Sequence, residues 1–239
     1  MQGAYGHKKM MNPPKIYKIR IVFRWLKNQA EKNTFNAVRK MVLTAGLPFE
    51  PAKVNKNWPR LAYGPSPALG QRAEREYLDI YLQKSIATEE VRRALQEVAP
   101  ADLELLDVRR VPYPLPSVQN LAAAARYRVE GDFSFYKPGR KLEEFLSSGR
   151  VEVTRRAENG LSCVKNIQPF VGPCCTISPN VVSLTVLPVE GKWINPEEII
   201  AAWLALEIPA GDEIFTVEGL TFIREGLFWL DSQGEFHLI

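Results

Sequence analysis

The chain has 239 residues, 46% of them apolar and 24% charged, an ordinary globular composition with room for one large domain or two of about 100 to 120 residues. No run approaches the about 20 apolar residues that a membrane-spanning helix needs, and the N-terminus lacks the apolar core of a secretion signal, so a cytoplasmic location with no membrane contact is expected. The net charge of +4 hides a division: residues 1–73 carry 14 Lys and Arg against Glu31 and Glu50, a balance of +12, which leaves −8 for the remainder. One end is thus suited to phosphate or an acidic protein, and the other would repel nucleic acid.

Residues 1–14, with Lys8, Lys9, Pro13 and Pro14, read as a flexible basic arm. From Tyr17 to Phe23 the apolar Tyr17, Ile19, Ile21 and Phe23 alternate with Lys18, Arg20 and Val22, which predicts a strand with one buried face and one basic face. Asn33 or Thr34 can cap a helix carrying Phe35, Val38, Val42 and Ala45 at helical spacing, closed by Gly46 and Pro48. Trp58–Tyr63 and Glu76–Leu82 are the next strands, joined by the turn-rich GPSPALG. Thr88 opens a helix with Glu89 and Glu90 in its first turn and Val91, Leu95 and Val98 on one face. Leu103–Val111 is a strand whose alternation slips at Leu105 and Leu106, the sign of a bulge.

The order βαββαβ over residues 15–112 predicts an α+β fold of the ferredoxin-like type, an antiparallel sheet with two helices on one face and the other face open for binding. VPYPLPS, Val111–Ser117, with three prolines in seven residues, marks a linker over 113–123. Residues 124–239 read as a second, irregular α+β domain of the same type, acidic on balance. Its predicted elements are a strand over Tyr127–Phe133, a helix with Leu142, Phe145 and Leu146 ended by Gly149, and a hairpin turning at Asn159-Gly160. A strand over Val181–Leu187 with Val182, Leu184 and Val186 inward follows. Asn195 and Pro196 then open a helix burying Ile199, Ile200, Trp203 and Leu204. The tail offers two or three short strands around Gly219, Gly226 and Gly234.

AGLP (45–48), PRLAYGPSPALG (59–70) and EYLDI (76–80), with VTRRAENG (153–160), IQPFV (167–171) and NPEEII (195–200) in the second half, make the chain resemble the radical-SAM-linked proteins, a bacterial family encoded beside or fused to a radical S-adenosylmethionine protein. The likeness covers roughly Lys15 to Trp229. It implies a radical S-adenosylmethionine protein as partner, which would bring an iron-sulfur cluster and S-adenosylmethionine. The pattern of that family has His at Trp58, Asp at Asn166 and Arg at Gln168, and a Ser-His-Leu-Asp-like segment where this chain has Lys27 to Lys32. Ionisable groups are missing there, which implies a diverged member that keeps a docking role.

No complete catalytic motif is present, and no catalytic residue is assigned. Glu76 and Asp79 fall on opposite faces of their strand, so they are a poor acid and base pair, and Asp79 is better placed to meet an arginine. Cys163, Cys174 and Cys175 are too few and too badly spaced for a disulfide framework, and His7 and His237 lie far apart, so no metal ligands and no cofactor of the chain's own are expected. Cys174 and Cys175 read as buried, inert thiols. The residues expected to bind RNA or an acidic partner are Lys18, Arg20, Arg24, Lys53, Lys56, Trp58, Arg60 and Tyr63, cations interleaved with aromatics as on single-strand platforms. The expected function is a non-catalytic accessory protein using that surface. Two alternatives are a substrate-presenting subunit of a radical S-adenosylmethionine enzyme acting on RNA, and a structural subunit anchored by Trp58, Trp193, Trp203 and Trp229.

Overall fold

A computed structural model of the chain describes residues 15–26, 34–68, 70–156, 161–209 and 216–239. The predicted basic arm, the Lys27 to Lys32 segment with Asn33, and the Asn159-Gly160 turn lie outside the described residues. The fold is mixed α+β. Its first half runs β1 (Tyr17–Trp25), α1 (Thr34–Thr44), β2 (Leu61–Tyr63), β3 (Arg72–Ala73), β4 (Glu76–Leu82), α2 (Thr88–Gln96) and β5 (Leu103–Val111). A short α3 (Val118–Leu121) leads into β6 (Ala124–Gly131), α4 (Leu142–Leu146), β7 (Glu152–Arg156), β8 (Ser162–Asn166), β9 (Cys175–Ser178) and β10 (Val181–Val186). The chain ends with α5 (Pro196–Trp203), β11 (Glu207–Ile208), β12 (Leu220–Leu230) and β13 (Phe236–Leu238).

The first sheet is antiparallel, in the order β2-β4-β1-β5. One face carries Ile19, Ile21, Phe23, Leu78, Ile80 and Leu82 and packs on Val38, Met41 and Val42 of α1 and on Val91 and Leu95 of α2. The predicted bulge is real: Val22 faces Asp107 and Phe23 faces Leu105, so Leu106 is the extra residue.

The reverse face departs from expectation. Lys18 and Arg20 are 1% and 3% exposed, and Val22 and Tyr77 of this face belong to the second hydrophobic core. An alternating strand with cations on its second face reads as half solvated, yet here the second half of the chain covers that face. The cations are accommodated because each finds oxygen partners. Arg20 donates from Nε and Nη2 to the Asp79 carboxylate at 2.7 and 3.0 Å. Asp79, fully buried, also accepts the backbone N–H of Val118 at 2.8 Å. Lys18 Nζ donates to the Leu115 and Pro116 carbonyls; burial pushes its pKa down, against the pull of Asp79. The Pro-rich stretch is thereby fastened to the sheet.

The second sheet has the order β13-β12-β6-β10-β9, with β3 from the first half pairing parallel to β12. Val182, Leu184 and Val186 point inward as predicted, and Ile199, Ile200, Trp203 and Leu204 of the α5 region are buried. Asn195 stands before α5, and the Glu198 carboxylate returns to the Asn195 N–H at 3.4 Å. A small third sheet, β11-β7-β8, closes over α5. The tail holds two strands as expected, but the first, β12, is long and runs through Gly226, and the short β13 pairs antiparallel with it at the sheet edge. Gly226 sits inside β12 because a Cβ there would lie 2.6 Å from Leu238 Cδ1 and 3.2 Å from the Tyr77 hydroxyl; close approach, not a turn, requires it. No helix among the described residues is long and apolar enough to cross a membrane.

Removing the Asp79 carboxylate strands the Arg20 guanidinium and the Val118 N–H together. Asp79→Ala is expected to lower unfolding free energy by about 3–5 kcal/mol, read from urea denaturation. A loss under about 1 kcal/mol, the range of an exposed ion pair, would show that the seam is not built on this contact.

Candidate functional site

The structure divides the eight residues expected to bind a partner. Lys18 and Arg20 are internal and cannot meet one, a correction that follows from the covering of their sheet face. Arg24 pairs with Glu104 at 2.6 Å on the side of β5, the edge opposite β2. Arg60 is half-exposed and lies against rings: its guanidinium is 4.1 Å from the Tyr81 ring centroid and 6.0 Å from that of Tyr113, and Nη1 donates to the Tyr113 hydroxyl at 3.4 Å. It ties the Pro-rich stretch to the first sheet.

Lys53, Lys56, Trp58 and Tyr63 come together at the β2 edge, with two residues of α1 that the sequence left unassigned. The loop is tight, Ala52 N–H donating to Trp58 O at 2.8 Å and Trp58 N–H to Asn55 O at 3.0 Å, so it lifts Trp58 to the surface, 42% exposed. Arg39 of α1 stacks on that indole at 4.3 Å, and Phe35, one turn earlier on the same helix face, meets Tyr63 edge-on at 4.7 Å. The Tyr63 hydroxyl donates to Phe35 O at 3.1 Å, and burial pushes its pKa up to about 12, so it stays a neutral donor. Lys53 and Lys56 of the same loop are exposed and among the described residues have no acidic partner, and Lys40, next to Arg39 in α1, is exposed as well. The result is a rim of half-exposed rings framed by free cations. Its signal in the sequence was the Phe35 and Arg39 pair at i, i+4; helical periodicity gave Phe35 to packing and left Arg39 without a role.

A second site lies at the seam of the two halves. The 64–76 segment leaves β2, crosses to the second sheet, and pairs through β3 with Ile223 and Arg224 of β12. It walls a pocket of about 190 Å³ with Pro65, Ser66 and Ala68, opposite Tyr127, Trp193, Asn195 and Arg224. Arg224 and Tyr127 are cross-strand partners. Arg224 is 1% exposed; its Nη1 donates to Pro65 O and its Nη2 to Glu76 at 2.8 Å, while its Nε has no partner among the described residues. Burial pushes the Glu76 carboxyl up, with Arg224 opposing.

Beside the pocket, Gln71 Nε2 donates to Asn195 Oδ1 at 2.7 Å and to the Glu197 carboxylate, and Gln71 Oε1 accepts the Ala68 N–H at 3.1 Å. Glu197, 3% exposed, has its pKa pushed up to about 7, burial outweighing the Gln71 hydrogen bond. Sequence reasoning missed this cluster. Its one visible sign was the charged pair Arg224-Glu225 inside the largely apolar run LTFIREGLFWL.

The thiols are separate from both sites. Cys174 is half-buried with its pKa pushed up to about 11 by burial, whereas Cys175 is exposed, against the expectation that both are buried. Among the described residues no three His, Cys, Asp or Glu side chains are grouped to hold a metal.

A family model described as "Uncharacterized protein conserved in bacteria (DUF2344)" matches residues 29–196, a stretch that includes the β2 rim and the pocket wall through Pro196. No curated protein matches the chain.

The Glu197 shift sets a pH dependence. The folded state holds this proton more tightly than the unfolded chain, whose Glu titrates near 4.5, so the group's contribution is most favourable below that pH and declines as pH rises through about 7. Glu197→Gln removes the dependence. Relative to the parent it is expected to be near neutral at low pH and more stable at alkaline pH by up to about 3 kcal/mol, read from urea midpoints across that range; an equal effect at both ends would contradict the shift.

Proposed function

Taking as premise that the chain belongs to the bacterial family DUF2344, we propose that it is an accessory binding protein that holds single-stranded RNA on the β2 rim and carries out no reaction of its own. The observation that supports this reading is the exposed Trp58 ring stacked by Arg39, with Lys53 and Lys56 exposed on the same loop. Stacking accepts any base and cations follow the backbone, so such a rim binds by shape and charge more than by sequence. An acidic protein would satisfy the cations but leave the aromatic faces without purpose.

The first half we read as a ferredoxin-like unit, supported by its strand order and by both helices lying on one face. In place of an open sheet face, the binding surface of this reading is the edge strand and the helix beside it. The six-stranded second sheet, with β12 and β6 at its centre and β3 borrowed from the first half, lends less to a second copy of that arrangement.

A second reading is a subunit that presents substrate to a radical S-adenosylmethionine protein, as the resemblance implies. The seam pocket favours it, being a place to hold a small group while another protein supplies the chemistry. Co-purification with an iron-sulfur protein and turnover only in the mixture would support it; turnover by the chain alone would sink it.

Fluorescence anisotropy with a labelled single-stranded RNA tests the first reading. Affinity is expected to fall with rising salt, and Lys53→Gln with Lys56→Gln to reduce the slope of log K against log salt by about 1.4. Trp58→Ala is expected to cost about 1–3 kcal/mol at every salt concentration. Absence of binding at low salt, or binding indifferent to Trp58, overturns the reading.

A further inference from the structure

Between β5 and α3 the chain leaves five consecutive apolar residues in water. PYPLP, residues 112–116, is exposed at every position, with Tyr113 at 45% and Leu115 at 51%. A connection does not require this, since turns are built with Gly, Asn, Asp and Ser as readily as with Pro, and exposed apolar runs of this length are a fault unless they serve a contact. Nor is the run loose. Leu115 N–H closes a turn on Pro112 O at 3.1 Å, Lys18 Nζ donates to the Leu115 and Pro116 carbonyls, and the Tyr113 ring stands edge-on to Tyr81 at 6.3 Å. The strap presents its rings and prolines already fixed, so a ligand meets little cost in ordering them.

Arg60 joins this strap to the rim. It follows Trp58 by two residues, about 7 Å of extended chain. Leu61 packs on the first core, so Arg60 beside it is turned to the reverse side of the sheet, where its guanidinium meets the rings of Tyr81 and Tyr113. Half-exposed, it has no carboxylate within ion-pair distance among the described residues. The strap leads into α3, which packs beside β2. Around one sheet edge there are thus two exposed rings, Trp58 toward α1 and Tyr113 toward the reverse side, and an unpaired cation between them.

We propose that the RNA held at Trp58 continues round the β2 edge onto the Pro-rich strap, where a second base stacks on Tyr113 and Arg60 takes a phosphate between the two bases.

This rests on the RNA reading and narrows its substrate to a flexible run of several unpaired nucleotides. A single strand alternates flat bases with phosphates, and the edge offers rings and a cation in the same alternation. A duplex keeps its bases paired and stacked and cannot turn an edge to offer them to both sides.

The probes are labelled oligouridylates of about four and about ten nucleotides, near the lower and middle site sizes of single-strand binders, with anisotropy measured on the full chain. Tyr113→Ala is expected to weaken the longer oligomer at least fivefold and leave the shorter unchanged, while Tyr113→Phe, which keeps the ring and loses its hydroxyl, binds both as the parent does. Leu115→Glu, which sets an anion on an exposed position of the strap, is expected to weaken the longer oligomer alone with the urea midpoint unchanged. A 5-iodouridine moved along the longer oligomer is expected to cross-link to Trp58 and to Tyr113 from different positions, a contact that a merely structural role for Tyr113 would not produce. Binding that depends on Trp58 but is indifferent to Tyr113→Ala and Leu115→Glu in folded proteins, or an absence of cross-links to Tyr113, would overturn the extension and leave the rim standing. Failure of the parent to bind either oligomer would overturn both.

Discussion

The buried carboxylate of Asp79 is the constraint from which the arrangement of the two halves follows. It answers Arg20 on the neighbouring strand through two hydrogen bonds and holds the first N–H of α3 through a third. A carboxylate with no exposure is tolerated only when its lone pairs are filled, and here the filling comes from two parts of the chain that must therefore be adjacent. The Pro-rich stretch cannot swing as a free linker, because Lys18 holds its carbonyls and Arg60 stacks beneath its Tyr113. With that stretch pinned across the reverse face of the first sheet, β6 begins where Val22 and Tyr77 can join the second core.

This accounts for the fate of the positive charge in the first half. An excess of +12 over residues 1–73 reads as a surface field, but some of it is internal. Lys18 and Arg20 serve the seam, and Arg24 is matched by Glu104. Among the described residues, Lys53 and Lys56 of the 52–58 loop and Lys40 of α1 stay open to solvent. The expected interface thus shrinks from a sheet face to an edge and gains Arg39 and Phe35 from the helix.

Local structure was legible because its causes are local. Period-two alternation placed β1, β4 and β10, the slip at Leu105 and Leu106 marked the bulge, and Asn195-Pro196 marked the start of α5. Contacts whose partners lie far apart in sequence were not legible. That Asp79 meets an arginine was legible, but not that the arginine is Arg20, 59 residues away, and nothing announced the contact of Gln71 with Glu197 across 126. The same cause hid the covering of the β1 reverse face, since a strand of alternating cations looks solvated until its buried acceptor is known. Gly226 misled for a related reason: a glycine between apolar runs suggests a turn, and only the approach of Leu238 and Tyr77 shows a strand position where no side chain fits.

Three charged anchors at the seam, Arg20 with Asp79, Lys18 with the 115 and 116 carbonyls, and Arg224 with Glu76 and Pro65 O, have a role that apolar packing cannot fill. Burial of Val22, Tyr77, Val118 and Leu227 favours contact between the halves but is indifferent to small shifts in their placement. Directional bonds to buried charges are not, because a displacement of even an ångström or so leaves a charge without its partner. At Arg224 the same rigidity has a second consequence. A guanidinium held from two sides has little freedom to turn, so the contacts that fix the seam also fix one wall of the pocket beside it. The pocket and the join between the halves are therefore one structural feature.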